Sequence, residues 1–528
     1  MTVDAPKVRS AEPVLWHGGR LITDGAVTSS SMVVADGVIV WVGEASRAPS
    51  TRLAVDVRGA LITPAFVDGH MHATDTGLAL AGLDLSGSRS KADVLEAVSR
   101  MCRQLRGRTI LGHGWDESAW PIRELPTAAE LDRASYGSFV YLSRIDVHSA
   151  LVSGALMSSV RSLAGQAGYD SSGWLSREAH QAIRNAALES ITPGQRVDAQ
   201  RLALQTVASL GIGAVHEMGG PDIGGADDAA ALVALANSAQ WPDVVVYWGQ
   251  LAADGGIEAM RDIGGYGAGG DLFIDGAIGS RTACLRSPYS DFADTHGALY
   301  FDSAAVQDHV AQCTLAGIQA GFHVIGDAAM DTIISGMRAA ASDVGHDALR
   351  TQHHRLEHAE MLDTQQISAL ADLGVIASVQ PAFDASWGGD DGMYCDRLGP
   401  DRGVRLNPFA DMLAAGIPLV FGSDSPVTAV DPWGAVRAAV QHRTIGQRVG
   451  IAAAFSAHTL AGHQSVGSSA GALLAGSAAT FAVWAADFPR DAHGWPDLSA
   501  TTTSPDCLRT VVRGTTVHDN GVLEEVAA

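Results

Sequence analysis

The sequence predicts an α/β protein: a (β/α)8 (TIM-type) barrel, a small β-sandwich accessory domain formed by both chain ends, and a large insertion after barrel strand 1. Three observations lead there. The middle of the chain alternates short apolar runs with helical patterns, as parallel α/β folds do. The runs number eight, the strand count of such a barrel. Both ends instead carry short alternating segments broken by glycines, the pattern of small antiparallel strands.

Taken in order, the N-terminal segments are Val14-Leu15-Trp16, Ser31 to Val34 and Val38 to Val42. Their C-terminal counterparts are Ala479 to Trp484, Leu508 to Val512 and Thr516-Val517-His518. Residues 1–60 and 465–528 are therefore expected to form the accessory domain, and 61–464 the barrel. The expected barrel strands are Leu61 to Val67, Gly213 to Glu217, Val244 to Trp248, Leu272 to Ile274, Ile318 to His323, Arg355 to His358, Ile376 to Gln380 and Pro418 to Asp424. Helical patterns intervene, as at Asp198 to Leu210, Ala304 to Ala316 and Met330 to Ser342. From His72 to Gly211 the chain is too long for one barrel unit. Residues of about 75–192 are read as an insertion over the active-site end, with strand-like Phe139 to Ile145 inside it.

Composition narrows the function. Thirty-five Lys and Arg against 58 Asp and Glu give a net charge of −23, which argues against nucleic acid and anionic membranes as partners. No apolar run is long enough to span a bilayer, and the N-terminal stretch has no apolar core of a secretory signal. The five cysteines are scattered without a Cys-x-x-Cys, so neither a disulfide framework nor a thiolate zinc site is expected, and a reducing cytoplasm fits best. A small-molecule substrate is the expected partner, and a homodimer is the default from base rates.

The chemistry lies at strand ends. His70 and His72 close the run Pro64 to His72 at a spacing of two, so both imidazoles share one side of a strand. Catalytic groups of such barrels sit at the C-terminal ends of strands. Four further ends carry ligand-type residues: Glu217, His323, His358 and Asp424. Three or four histidines and a carboxylate there would hold Zn²⁺ or a similar ion with one position open. Bound zinc lowers the pKa of water to about 7. Asp424 is the candidate to take the water proton and pass it to a leaving group. A spare histidine, His358 or His323, is the candidate to polarise the scissile carbonyl.

In combination, these motifs resemble the amidohydrolase superfamily, in the branch that includes N-substituted formamide deformylase. They are Pro64 to His72, Gly114-Trp115-Asp116, Asp275 to Ala283, Pro288-Tyr289-Ser290, His323 to Asp327, Arg355 to His358, Val379-Gln380-Pro381 and Gly422 to Pro426. The resemblance implies a barrel with a β-sandwich side domain, and metal-dependent hydrolysis of a carbon–nitrogen bond, usually a non-peptide amide. Many relatives place a lysine four residues before the Asp-Gly of the fourth strand; carboxylated, it bridges two metals. Here that residue is Asp271, whose side chain is several bonds shorter. Either one metal is held by His70, His72, His323 and Asp424, or another carboxylate bridges, with Glu217 the nearest by strand logic and Asp271 the other candidate. Relatives often carry a histidine shortly after Gln-Pro; here Ala382 and Phe383 follow, which implies a more apolar pocket wall.

Trp115, Asp275, Arg281, Gln380 and Phe383 are the candidate substrate contacts, with Asp275 and Arg281 an expected ion pair. His113, Asp116, Asp146 and His148 are candidates for the pocket mouth. The expected function is a metal-dependent amidohydrolase acting on a small N-acyl or N-formyl amide, with one or two zinc ions per chain. A mononuclear deaminase or isomerase and a non-catalytic scaffold are the rival readings.

Overall fold

In the eight-stranded sheet the apolar runs become β1 (Phe66–Met71), β2 (Ile212–Gly219), β3 (Asp243–Trp248), β4 (Gly267–Ala268), β5 (Gln319–Val324), β6 (Arg355–His358), β7 (Ile376–Val379) and β8 (Leu419–Phe421). The computed structural model describes residues 12–527 apart from 24, 29, 106, 118–119, 145–148, 239 and 500–502. Every neighbouring pair from β1 to β8 is parallel and in chain order. Closure comes from the segment after β8: Ser425 bridges Met71 in parallel, Asp424 N donates to His70 O at 2.7 Å, and His72 N donates to Ser425 O at 3.0 Å. Helices cover the strands, with ends set by local chemistry. Asp363 caps Thr364–Leu373 in a reciprocal capping box, and Gly374, at φ 70°, ends it.

Two sheets built from both chain ends pack on each other. One has Glu525–Ala527, Leu53–Asp56, Val14–His17, Ser31–Ala35 and Val38–Gly43. The other has Thr515–Asp519, Cys507–Val512, Phe481–Trp484, Leu61–Pro64, Arg20–Thr23 and Ala26–Thr28. Trp16, Met32, Ile39 and Val55 of the first meet Leu21, Ile62, Phe481 and Val511 of the second in one buried core. The expected first barrel strand is thus two strands. Leu61–Pro64 pairs with Phe481–Trp484 in the accessory sheet, and β1 begins at Phe66. Both pieces are fully buried, so the apolar run gives no break at Ala65.

Residues 73–203 form a separate compact unit. Its own sheet runs Trp174–Ser176, Ser149–Val152, Val140–Arg144, Ile110–Trp115, Leu83–Asp84, with Lys91–Leu105, Ala128–Ala134 and Arg177–Glu189 among its helices. All five cysteines are unpaired. Among the described residues no helix is long and apolar enough to cross a membrane.

Candidate metal centre

Strand alternation places Asp68 and His70 on one face of β1, and His72 follows its last residue in the same two-residue step. Asp68 works first on the backbone. Its Oδ1 accepts from Ser423 N (2.9 Å) and His70 N (3.3 Å), and its Oδ2 from Ser423 Oγ (2.6 Å). This ties β1 to the segment after β8 and sets Asp424 against the two histidines. Asp424 Oδ1 lies 3.3 Å from both His70 Nε2 and His72 Nε2. Asp271 enters from the end of β4: its Oδ2 is 3.3 Å from His72 Nε2, and its Oδ1 is 3.6 Å from His70 Nε2. The same Oδ1 lies 3.5 Å from His323 Nδ1 and 3.9 Å from His358 Nε2.

These separations fit a metal. Two donor atoms about 2.1 Å from a tetrahedral ion lie about 3.4 Å apart. Three overlapping triads bring their donor atoms within 4.8 Å of one another: His70, His72 and Asp271; His70, His358 and Asp424; Asp271, His323 and His358. The atoms also lack other partners. His70 Nε2, His323 Nδ1 and Asp271 Oδ1 are buried without a hydrogen bond, a costly state unless an ion satisfies them. Two of the donors sit on strained backbone, His358 at φ 70° and Asp424 at φ 52°, in the region that favours glycine. Burial raises the Asp424 carboxyl, but His70 and His72 outweigh it and hold it well below the usual carboxylate range.

The donors are oriented from behind. His70 Nδ1 meets Glu357 Oε2 at 2.9 Å, and His358 Nδ1 meets Gln380 Oε1 at 2.7 Å. Both fix Nε2 as the outward atom. Glu357 is held by Arg355, whose Nε donates to Oε1 at 2.6 Å. Arg355 also reaches His216 Nδ1 (2.8 Å), Ser378 Oγ (2.8 Å) and Gly69 O, and lies over the Tyr247 ring at 4.8 Å. Burial would raise the Glu357 carboxyl, yet the Arg355 charge and the His70 bond bring it down to about 2. Sequence reasoning missed Asp68, Arg355 and Glu357. A usable signal was present: Asp68 shares the two-residue period of His70 and His72, and an Arg-x-Glu inside a buried strand must pair with something.

Other expected residues sit elsewhere. Glu217 is buried, but its neighbour His216 turns inward to Arg355, so pleating faces Glu217 the other way. It belongs to none of the triads among the described residues, whereas Asp271 belongs to two of them. Asp275 and Arg281 do not pair. Asp275 accepts backbone N–H groups from Cys284 (2.8 Å), Ile325 (3.0 Å) and Gly326 (2.8 Å), while Arg281 forks onto Asp291 at 3.1 and 2.6 Å. Both hold the loop after β4. Trp115 is fully buried in the core of residues 73–203, its Nε1 donating to Leu142 O at 2.8 Å, so it packs instead of lining a pocket. Gln380 orients His358, and Phe383 stacks on that imidazole at 6.0 Å. His113 is exposed and Asp116 pairs with Arg144 at 3.0 Å. Asp146 and His148 lie outside the described residues.

A cavity of about 510 Å³ opens onto the cluster at Asp271. It is lined by the loops after β2 and β4, chiefly Pro221, Ile223, Leu272, Phe273, Tyr300 and Phe301.

With this geometry in place, the sequence profile of the amidohydrolase family matches residues 53–518. The chain belongs to that family. This amidohydrolase is 27% identical to the YtcJ protein of Bacillus subtilis over 473 residues, covering 83% of this chain and 85% of that one. It is 23% identical to the N-substituted formamide deformylase of Arthrobacter pascens over 474 residues, covering 84% and 82%. A metal-dependent hydrolase from Pyrococcus furiosus shares the fold, with a TM-score of 0.75, 24% identity, and coverage of 89% of this chain and 98% of that one.

Proposed function

We propose that this amidohydrolase hydrolyses the non-peptide carbon–nitrogen bond of a small neutral N-acyl or N-formyl amide. One observation carries the reading: four histidines and two aspartates converge at the barrel mouth, and the cavity beside them is apolar. Among the described residues that cavity has no Lys or Arg in its lining, which favours a neutral substrate body. Its charged residues are Asp222 and Asp271.

His70, His72, Asp271, His323, His358 and Asp424 are the residues that would hold a divalent metal, with zinc suited to this donor set. When bound, the metal supplies Lewis acidity and lowers the pKa of water to about 7. The chain's own residues do the rest. Asp424 takes a proton from the water that attacks the carbonyl carbon, then returns it to the nitrogen as the carbon–nitrogen bond breaks. The products are a carboxylic acid and a free amine. Phe273, Tyr300 and Phe301 offer apolar contact to the substrate body. In this reading His358 is a ligand, because its Nδ1 is engaged by Gln380 and its Nε2 faces Asp271.

The test is a panel of neutral N-formyl and N-acyl amines, with amino-purines and amino-pyrimidines as contrasts. Amine release from the amides, lost by about 10²–10⁴-fold in Asp424→Asn, is expected. Ammonia release from the amino-heterocycles alone would refute it in favour of a deaminase.

A further inference from the structure

We propose that Asp271 is a built-in bridge between two divalent ions, so that this chain assembles a two-metal centre without any ligand derived from carbon dioxide. The inference rests on the metal-dependent reading above and specifies how the site is built. The objection is length: an aspartate is several bonds shorter than a carboxylated lysine. The backbone removes it. β4 ends at Ala268, and two glycines follow immediately.

At Gly269 a Cβ would sit 2.3 Å from Gly321 N and 2.4 Å from Gly321 Cα, so the chain presses directly on the backbone of β5. Gly270 has φ 80°, and a Cβ there would meet Met218 Sδ at 2.7 Å. Leu272 N then donates back to Gly270 O at 2.8 Å, closing a three-residue turn with Asp271 at its apex. The chain rejoins β5 at once, His323 N donating to Leu272 O and Ile274 N to His323 O, both at 3.0 Å. This bulge carries the carboxylate inward by moving the main chain, where a lysine would extend a side chain.

Both carboxylate oxygens of Asp271 face the histidines. Oδ2 is nearest to His72, at 3.3 Å; Oδ1 is shared between His70, at 3.6 Å, and the pair His323 and His358, at 3.5 and 3.9 Å. One ion would be held by His70, His72 and Asp424, the other by His323 and His358, with Asp271 common to both. A carboxylate in the chain is always present, whereas a lysine must first react with carbon dioxide.

The test uses the full-length chain, stripped of metal and reloaded with Mn²⁺ under carbon dioxide-free gas, with and without added bicarbonate. Metal per chain is measured by plasma mass spectrometry, and the electron paramagnetic resonance spectrum reports whether the ions are coupled. The expected result is two ions per chain in both buffers, with a spin-coupled spectrum. Asp271→Asn keeps the shape and removes the charge; it should bind no more than one ion and show an isolated six-line signal. One ion per chain in the wild type, two only when bicarbonate is added, or two coupled ions in Asp271→Asn would each overturn the proposal. If Asp271→Asn does not fold, the wild-type bicarbonate comparison decides alone. Amide hydrolysis with a single ion would sink this inference and leave the proposed reaction standing; two coupled ions with no amide turnover would do the reverse.

Discussion

Replacing Glu357 by glutamine should damage both stability and metal binding, although Glu357 is in no metal triad among the described residues. Glu357 and Arg355 are both fully buried, and Glu357 is the only acidic ion-pair partner of Arg355 among the described residues. Glu357→Gln would strand a guanidinium in the barrel floor, and breaking a buried pair on one side costs about 3–5 kcal/mol. The carboxyl itself gives a similar figure. Its drop from an ordinary 4.5 to about 2 corresponds to about 3 kcal/mol. Because the folded value lies below the unfolded one, this stabilisation is fully present above pH 4.5 and fades as pH falls towards 2. At neutral pH the substitution removes all of it. The bond to His70 Nδ1 weakens as well, and loss of such a partner typically lowers metal affinity 10–100-fold. Urea unfolding of the metal-free protein and competition against a chromogenic chelator measure the two effects separately. The double variant Arg355→Leu with Glu357→Leu should be less destabilised than Glu357→Gln, since no charge is stranded. A Glu357→Gln protein within about 1 kcal/mol of wild type, with unchanged metal affinity, would show that the buried pair holds neither the fold nor His70.

Three further outcomes are expected. Gln380→Leu frees His358 Nδ1 and should lower metal affinity about 10–100-fold with little change in substrate KM, as chelator competition and steady-state kinetics will show. Burial holds His309, His458 and His463 neutral, with pKa values near 4, and His354 near 3. Their folded values lie below the unfolded 6.5, so stability is full above pH 6.5 and declines from there towards pH 4; a melting temperature flat across that window would contradict this. Trp115→Ala should destabilise residues 73–203 by about 3–5 kcal/mol while Trp115→Phe leaves KM unchanged, and a KM change in Trp115→Phe would restore Trp115 as a substrate contact.

Legibility of the site in the sequence followed the regularity of the backbone. His70 and His72 show themselves by a two-residue period, and His323, His358 and Asp424 by ending apolar runs. Asp271 could be named only as one candidate beside Glu217, for two reasons. β4 is only Gly267–Ala268, too short and too glycine-rich to show a period, and the run Leu272 to Ile274 beside it looks more like a strand. Side-chain length alone does not set the reach of a carboxylate either, because Gly269 and Gly270 move the backbone that carries it. Glu217 misled because a strand end marks height in the barrel but not facing; one residue of register decides which face is presented. Arg281 pairs with Asp291 across ten residues of irregular loop, which no periodicity encodes. The two strands Leu61–Pro64 and Phe66–Met71 read as one because burial is continuous through the change of sheet.

A metal centre built by His70, His72, Asp271, His323, His358 and Asp424 at the barrel mouth underlies the proposed chemistry. Anomalous diffraction at the zinc edge, on crystals grown after zinc loading, tests it most directly. Anomalous peaks are expected within about 2.0–2.2 Å of His70 Nε2, His72 Nε2 and Asp271. A well-ordered barrel mouth with no anomalous peak, or zinc bound only at other residues, would contradict it.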